Sequence, residues 1–204
     1  MTVNKPKEIR EKEIIDAAFH CFSSNGIVKT SVDDIAAEAG LTKGGVYWYF
    51  KDKKELYISM VEKHIQEDID TLKEFIAHWD FTLESFIELG IHYLDYSAAD
   101  EKHLFMHAEL LSESFKDDVL KRKLKRFHEE YRSTIKTFLT KLFEEHSVDK
   151  DDADINTMAC TIMACLEGLQ HQCWFSGDDA DDASYKKAWE QLVTVFLGDL
   201  SGIP

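Results

Sequence analysis

Residues Thr30 to Leu56, TSVDDIAAEAGLTKGGVYWYFKDKKEL, constrain this chain more than any other stretch, because signals that start and stop helices crowd it. Ser31 can cap a short helix over Val32 to Ala39, which leaves Val32, Ile35, Ala36 and Ala39 on one apolar stripe. Asp34 completes a capping box in weakened form, since Asp is shorter than Glu or Gln. Gly40 suits the left-handed position that ends a helix, Leu41 fills the angle of the turn, and Thr42 caps a second helix through Tyr49. Asp52 with Glu55 then opens a third. Two short helices joined at a glycine, with an exit helix attached, make a helix-turn-helix. Val46 and Phe50 point back to the core, while Thr42, Lys43, Gly44, Gly45, Tyr47, Trp48 and Tyr49 supply the outward face. Two helical glycines cost about 1 kcal/mol each relative to alanine. Close approach to a duplex backbone is one reason to accept that cost.

The combination resembles the amino-terminal domain of the TetR family of bacterial transcriptional regulators. The match is carried by Ile14 to Phe22, Gly26, Thr30 to Ala39, Gly40, the run from Gly45 to Phe50, Lys53 and Leu56. The resemblance implies an all-α fold of about nine helices. Residues 1–52 would form a three-helix DNA-binding domain, and residues 53–204 a helical effector-binding and dimerisation domain. It further implies a homodimeric, ligand-responsive regulator, a repressor in most of the family. Such a protein binds a palindromic double-stranded DNA operator and is released by a small, largely hydrophobic effector. The alternative is a regulator without a small-molecule effector, controlled by a protein partner or acting as an activator.

Reach assigns roles within the recognition segment. Thr42 and Lys43 stand at the helix start, where Lys43 can reach a guanine edge or a phosphate and Thr42 a phosphate or a methyl group. Tyr47 has two roles open, base or sugar contact and partial burial. Tyr49 resembles the family's phosphate-contacting hydroxyl, and Trp48 a position that varies. Lys53, near the next helix start, joins free backbone N–H groups in holding a phosphate.

The formal net charge of −15 looks wrong for a DNA binder until it is divided. Residues 1–58 hold nine basic and nine acidic side chains, which leaves 15 of the 24 basic and 30 of the 39 acidic side chains beyond them. DNA affinity per monomer is then modest and salt-dependent, and two subunits are needed for a selective complex. Within the neutral part, Asp33, Asp34 and Glu38 are expected to face away from the duplex. No apolar run approaches the roughly 18 residues of a membrane span, and the start lacks a signal peptide's apolar core, so a cytoplasmic protein without membrane contact is expected. Four cysteines without framework spacing fit a reducing compartment.

Along the chain, the periodicity predicts helices over Ile9 to Ser24, Lys53 to Ile76, Leu83 to Ala98, a shorter piece after Asp100, Asp117 to Glu145, Asp151 to Phe175 and Ser184 to Leu200. Asn25-Gly26 reads as a stop. The last two helices are expected to pair with their copies as a four-helix bundle, with Ile155, Ala159, Ile162, Leu166, Trp189, Val193 and Phe196 in the dimer interface. The middle helices are expected to enclose the effector, as in the family. Its candidate lining is Trp79, Phe86, Tyr93, Phe105, His107, Phe127, Tyr131, Met163, Gln170 and Trp174. The pairs His103 with His107 and His64 with Asp68 each lack a third ligand at a recognisable spacing, so no metal is expected. No nucleophile elbow, phosphate loop or dinucleotide fingerprint occurs, so neither a cofactor nor an enzymatic activity is expected.

Overall fold

The computed structural model describes residues 5–78, 80–99, 101–176 and 182–197. Among them the elements are all helical: α1 (Lys7–Lys29), α2 (Val32–Glu38), α3 (Lys43–Tyr47), α4 (Lys53–Ala77), α5 (Leu83–Ala99), α6 (Glu101–Ser114), α7 (Asp118–Glu145), α8 (Asp152–Ser176) and α9 (Asp182–Phe196). Of these described helices, none is long and apolar enough to cross a membrane.

The chain divides into two compact units, Met1–Asp68 with Phe105–Arg122, and Ile69–Leu104 with Lys123–Pro204. The division differs from a single cut after residue 52. Its physical reason lies in the small core of the first unit, where Ile14, Ala18, Phe22, Ile35 and Val46 are joined by Leu56, Tyr57 and Met60 from α4. Phe22 and Tyr57 meet edge to face, with ring centroids 5.3 Å apart. Without the first turns of α4 the apolar stripes of α1 and α2 would stay open to water.

In the first unit α1 does not stop at Asn25-Gly26. Helical hydrogen bonding resumes after a kink at which Gly26 adopts φ 79°, ψ 159°, a conformation essentially restricted to glycine. The expected stop is thus a break followed by one further turn, Ile27 to Lys29.

The second unit is built on α5, α8 and α9, which pack on one another. Trp189 of α9 is fully buried, and its indole Nε1 donates to the Ile87 carbonyl at 2.9 Å. The indole lies flat against α5 at Gly90, where a Cβ would come within 2.1 Å of the ring. Phe86 completes the layer, 5.0 Å from Phe138 and 5.7 Å from Trp189 between ring centroids.

Candidate nucleic-acid interface

The turn between α2 and α3 is held by backbone and caps rather than by bulk. Ser31 Oγ accepts from the Asp34 N–H at 3.2 Å, and the Ser31 N–H donates to Asp34 Oδ2 at 2.8 Å. The capping box therefore forms in full with Asp in the third position. The Ser31 hydroxyl and N–H hold the Asp34 carboxyl below the usual carboxylate range. Gly40 sits at φ 64°, with nothing to obstruct a side chain, so its necessity is purely conformational. The Leu41 N–H donates to the Ala36 carbonyl at 2.8 Å, and Thr42 Oγ1 accepts from the Gly45 N–H at 3.1 Å to start α3. At the end of the motif Glu55 N–H donates to Asp52 Oδ1 at 2.8 Å, the cap expected for α4.

Helix α3 is five residues long, and only Val46 among them is buried. Thr42, Lys43 and Gly44 are exposed, Gly45 and Tyr49 half-buried, Tyr47 is 45% exposed and Trp48, just past the helix, 70% exposed. Trp48 and Tyr49 stack edge to face at 4.6 Å. The two glycines differ. A Cβ at Gly45 would lie 3.4 Å from Thr42 Oγ1 and 3.6 Å from Leu41 Cβ, crowding the cap, whereas one at Gly44 meets only Thr42 Oγ1 at 3.9 Å. Gly45 thus has a reason inside the fold, and Gly44 has none.

Two charged groups take places that the sequence reading did not give them. The Lys43 ammonium lies 2.6 Å from Asp33 Oδ2, so Asp33 stands beside α3 instead of facing away. That hydrogen bond raises the lysine above its ordinary value, and the group is fully charged at neutral pH. The Lys53 ammonium donates to the carbonyls of Ile27 at 2.7 Å and Thr30 at 2.9 Å. At the chain start, Lys5 and Arg10 both pair with Glu13, and Lys7 reaches Glu11 at 3.4 Å.

Two residues of this region take roles that the sequence does not announce. Thr30 is buried, and its hydroxyl donates to the carbonyls of Cys21 at 3.1 Å and Gly26 at 2.8 Å. Glu109 of α6 accepts the Ile27 N–H on both carboxylate oxygens, at 2.9 and 3.2 Å. The Asn25-Gly26 stop was a local hint of an unsatisfied N–H; no local signal names a partner 82 residues away.

The effector and interface candidates separate. In the second unit Phe127, Met163 and Gln170 are buried, Tyr93 and Tyr131 half-buried, and the Tyr93 hydroxyl donates to Gln170 Oε1 at 3.3 Å. Phe86 belongs to the aromatic layer with Phe138 and Trp189, which fills its surroundings. Phe105 lies in the first unit, near Gly26. Trp79 and the side chains of His107 and Trp174 fall outside the described residues. The interface candidates lie as follows. Ile155, Ala159, Ile162, Leu166, Trp189 and Val193 are buried within the single chain, because α5 covers the apolar flanks of α8 and α9. Of the seven, only Phe196 remains exposed, next to Val195, which is 80% exposed.

Comparison with known proteins agrees with this geometry. Residues 14–60 match the family model described as bacterial regulatory proteins, tetR family. The HTH-type transcriptional regulator AcrR of Shigella flexneri is 34% identical over 103 residues, a stretch covering 50% of this chain and 47% of that protein. The chain thus aligns with about half the length of that relative. FadR of Bacillus subtilis, solved in complex with stearoyl-CoA, superposes with a TM-score of 0.71 at 20% identity, over 95% of this chain and 99% of its own. SmeT of Stenotrophomonas maltophilia in its complex with triclosan gives 0.72 at 22%, over 92% and 90%. Likeness at these identities speaks for the fold alone.

Proposed function

Because the chain belongs to the TetR family of bacterial regulatory proteins, we propose that it is a homodimeric repressor which reads a palindromic DNA operator with α3 and releases it on binding a small, largely hydrophobic effector. The observation that carries this reading is the surface of α3. A helix that buries one side chain, begins with Thr42 and Lys43, keeps an uncrowded glycine at position 44 and exposes Tyr47 and Trp48 is poorly explained by packing. It suits the major groove, where Gly44 lets the backbone approach, Lys43 exchanges Asp33 for a phosphate or a guanine edge, and Trp48 covers a thymine methyl or the sugar. Tyr49 and the amino terminus of α4 then meet phosphates. Lys53 contributes there mainly by holding the end of α1, with its remaining N–H free for a phosphate.

A head without net charge binds one half-site weakly, which favours two copies spaced about 34 Å or a multiple apart. For the contact between copies we move the interface to the outward faces of α8 and α9. Thr157, Cys160, Ala164 and Gly168 are small or polar and leave room for close approach, with Val195 and Phe196 beside them in type. The effector is proposed to sit by Tyr93, Phe127, Tyr131, Met163 and Gln170, where two hydroxyls and an amide could orient an otherwise apolar body. The acyl-CoA and triclosan complexes of the two structural relatives support an effector with a large apolar part.

Selection from a random-sequence duplex library with the full chain, followed by titration of the enriched duplex with stearoyl-CoA and with triclosan, tests the proposal. A two-fold symmetric site released by either compound is the expected result. Enrichment of no sequence would remove the DNA-reading role, and a symmetric site released by neither would move the effector to another chemistry.

A further inference from the structure

Helix α2 begins with two aspartates, and only one of them serves its cap. Asp34 accepts from the Ser31 N–H at 2.8 Å and from the Ser31 hydroxyl at 2.7 Å. Asp33 takes no part in that box. Its side chain is 64% exposed, and its Oδ2 accepts from the Lys43 ammonium at 2.6 Å, which ties the start of α2 to the start of α3. Asp33 Oδ1 carries no hydrogen bond among the described residues, and neither do the other two N–H groups of Lys43. An exposed ion pair contributes little to folding, so stability is a weak reason for this one.

Phosphate binding explains the pair no better. Each cation that neutralises a phosphate gains by releasing counterions, and a carboxylate 2.6 Å from the ammonium offsets that gain. Were Lys43 to leave Asp33 for a phosphate, the carboxylate would stand beside a second anion. Kept together, the two groups present a donor and an acceptor side by side, a pattern that a base pair matches and a phosphate does not. In the major groove a G·C pair shows guanine N7 and O6 as acceptors and, next to O6, the cytosine N4 amino group as donor. O6 and N4 lie about 2.9 Å apart, the ordinary length of the hydrogen bond between them. That separation is close to the 2.6 Å between Lys43 Nζ and Asp33 Oδ2. One ammonium N–H can hold Asp33 while a second reaches guanine, and Oδ1 is left to accept from cytosine.

We infer that Asp33 and Lys43 together read one G·C pair in each half-site, the lysine donating to guanine and the aspartate accepting from cytosine, which makes Asp33 a specificity-determining residue. The inference rests on the DNA-reading role proposed above and narrows it, since of the places open to Lys43 it selects the guanine edge. Reversed to C·G, the pair would set guanine's acceptors against the carboxylate. An A·T pair keeps a donor but separates its two acceptors, so the lysine finds one where guanine offers two together. On a duplex without the right pair the carboxylate faces phosphates and other acceptors, and binding there is held down.

The test repeats the random-duplex selection with the full chain carrying Asp33→Ala, Asp33→Asn, Lys43→Ala or the double alanine change. Each variant's affinity is then measured over a range of salt for the wild-type-enriched duplex and for a random one, with the thermal midpoint recorded alongside. The wild type should select one G·C pair per half-site, and reversing that pair in one half-site should weaken binding about tenfold. Asp33→Ala should lose this preference and bind the random duplex several-fold more tightly, with a steeper salt dependence, because Lys43 is released to phosphates. Asp33→Asn, which keeps an acceptor oxygen without the charge, should retain part of the preference. Lys43→Ala should lose the preference at the same pair, and the double variant should lose no more there than either single one. A selected sequence that Asp33→Ala leaves unchanged would overturn the inference. So would an equal rise in affinity for both duplexes, the mark of a carboxylate that only repels, or a lowered thermal midpoint with base preference intact, the mark of a purely structural pair. Enrichment of no duplex by the wild type would remove the DNA-reading role and this inference with it, whereas an enriched duplex indifferent to Asp33 would remove the inference alone.

Discussion

The first unit fastens its helices at their ends, and the second fastens them along their flanks. In the first, Ser31, Thr42 and Asp52 cap three successive helices, Glu109 and Lys53 bracket the turn before them, and one glycine at φ 64° sets the angle between α2 and α3. In the second, Trp189 sits against Gly90 and stacks near Phe86, while Leu139, Leu142, Ile155, Ile162 and Val193 close around them. End fastening sets direction with few atoms and leaves side chains free on the surface. Flank fastening buries much apolar area and leaves few side chains free. The first suits a part whose outer face has work to do, and the second a part that must stay folded while it does something else.

The largest expected effect lies on the flank side. Trp189→Ala removes the indole against Gly90 and its bond to Ile87, and should lower stability by about 4 kcal/mol. Thermal unfolding followed by circular dichroism checks it. A loss below about 1 kcal/mol, the size of a surface change, would mean that the second unit is not held by this layer and that the comparison fails.

The next effect separates folding from reading within the first unit. Gly44→Ala meets no obstacle, so alanine's better helix propensity should raise stability by up to about 1 kcal/mol. Affinity for the enriched duplex should nevertheless fall several-fold. A variant that is more stable and binds as well as the wild type would show that Gly44 is not an approach site.

The smallest effect tests the end fastening itself. Asp34 has its carboxyl lowered in the folded chain, so its contribution is fully present above the ordinary carboxylate value of 3.8 and is lost as the pH falls through the lower folded value. The difference in thermal midpoint between wild type and Ser31→Ala should accordingly be constant at neutral and mildly acidic pH, and shrink in strong acid. A difference that stays constant throughout would mean that the box is not held by charge.

The same contrast explains what could be read from residues alone. Caps and turns are local, so α2, α3 and the start of α4 were legible from Ser31, Gly40, Thr42 and Asp52, and the ends of α5 and α7 fell within a residue or two of their periodicity. Fastening by contact is not local. An apolar stripe on α8 and α9 says that something covers it, and a second copy is the natural expectation; that α5 covers much of it within the chain depends on Gly90 making room for Trp189, a fact of three helices at once. Glu109 reads by its chemistry as a polar effector candidate, and its place at the α1 kink was illegible for the same reason, since a glutamate on α6 carries no mark of the N–H it serves. Phe105 counted as an effector contact by its chemistry, yet its place beside Gly26 follows from where α6 lies.

The single buried side chain of α3 has a consequence for how such a protein changes over generations. Val46 is the one side chain of that helix buried in the fold and Thr42 caps its start, so substitutions at its exposed positions meet little resistance from folding. On the DNA-reading role proposed above, a gene copy could acquire a different target sequence through replacements at Lys43, Tyr47 and Trp48, which leave the Thr42 cap in place, without first acquiring spare stability. Inheritance of the scaffold and divergence of the exposed surface are thereby stored in different residues.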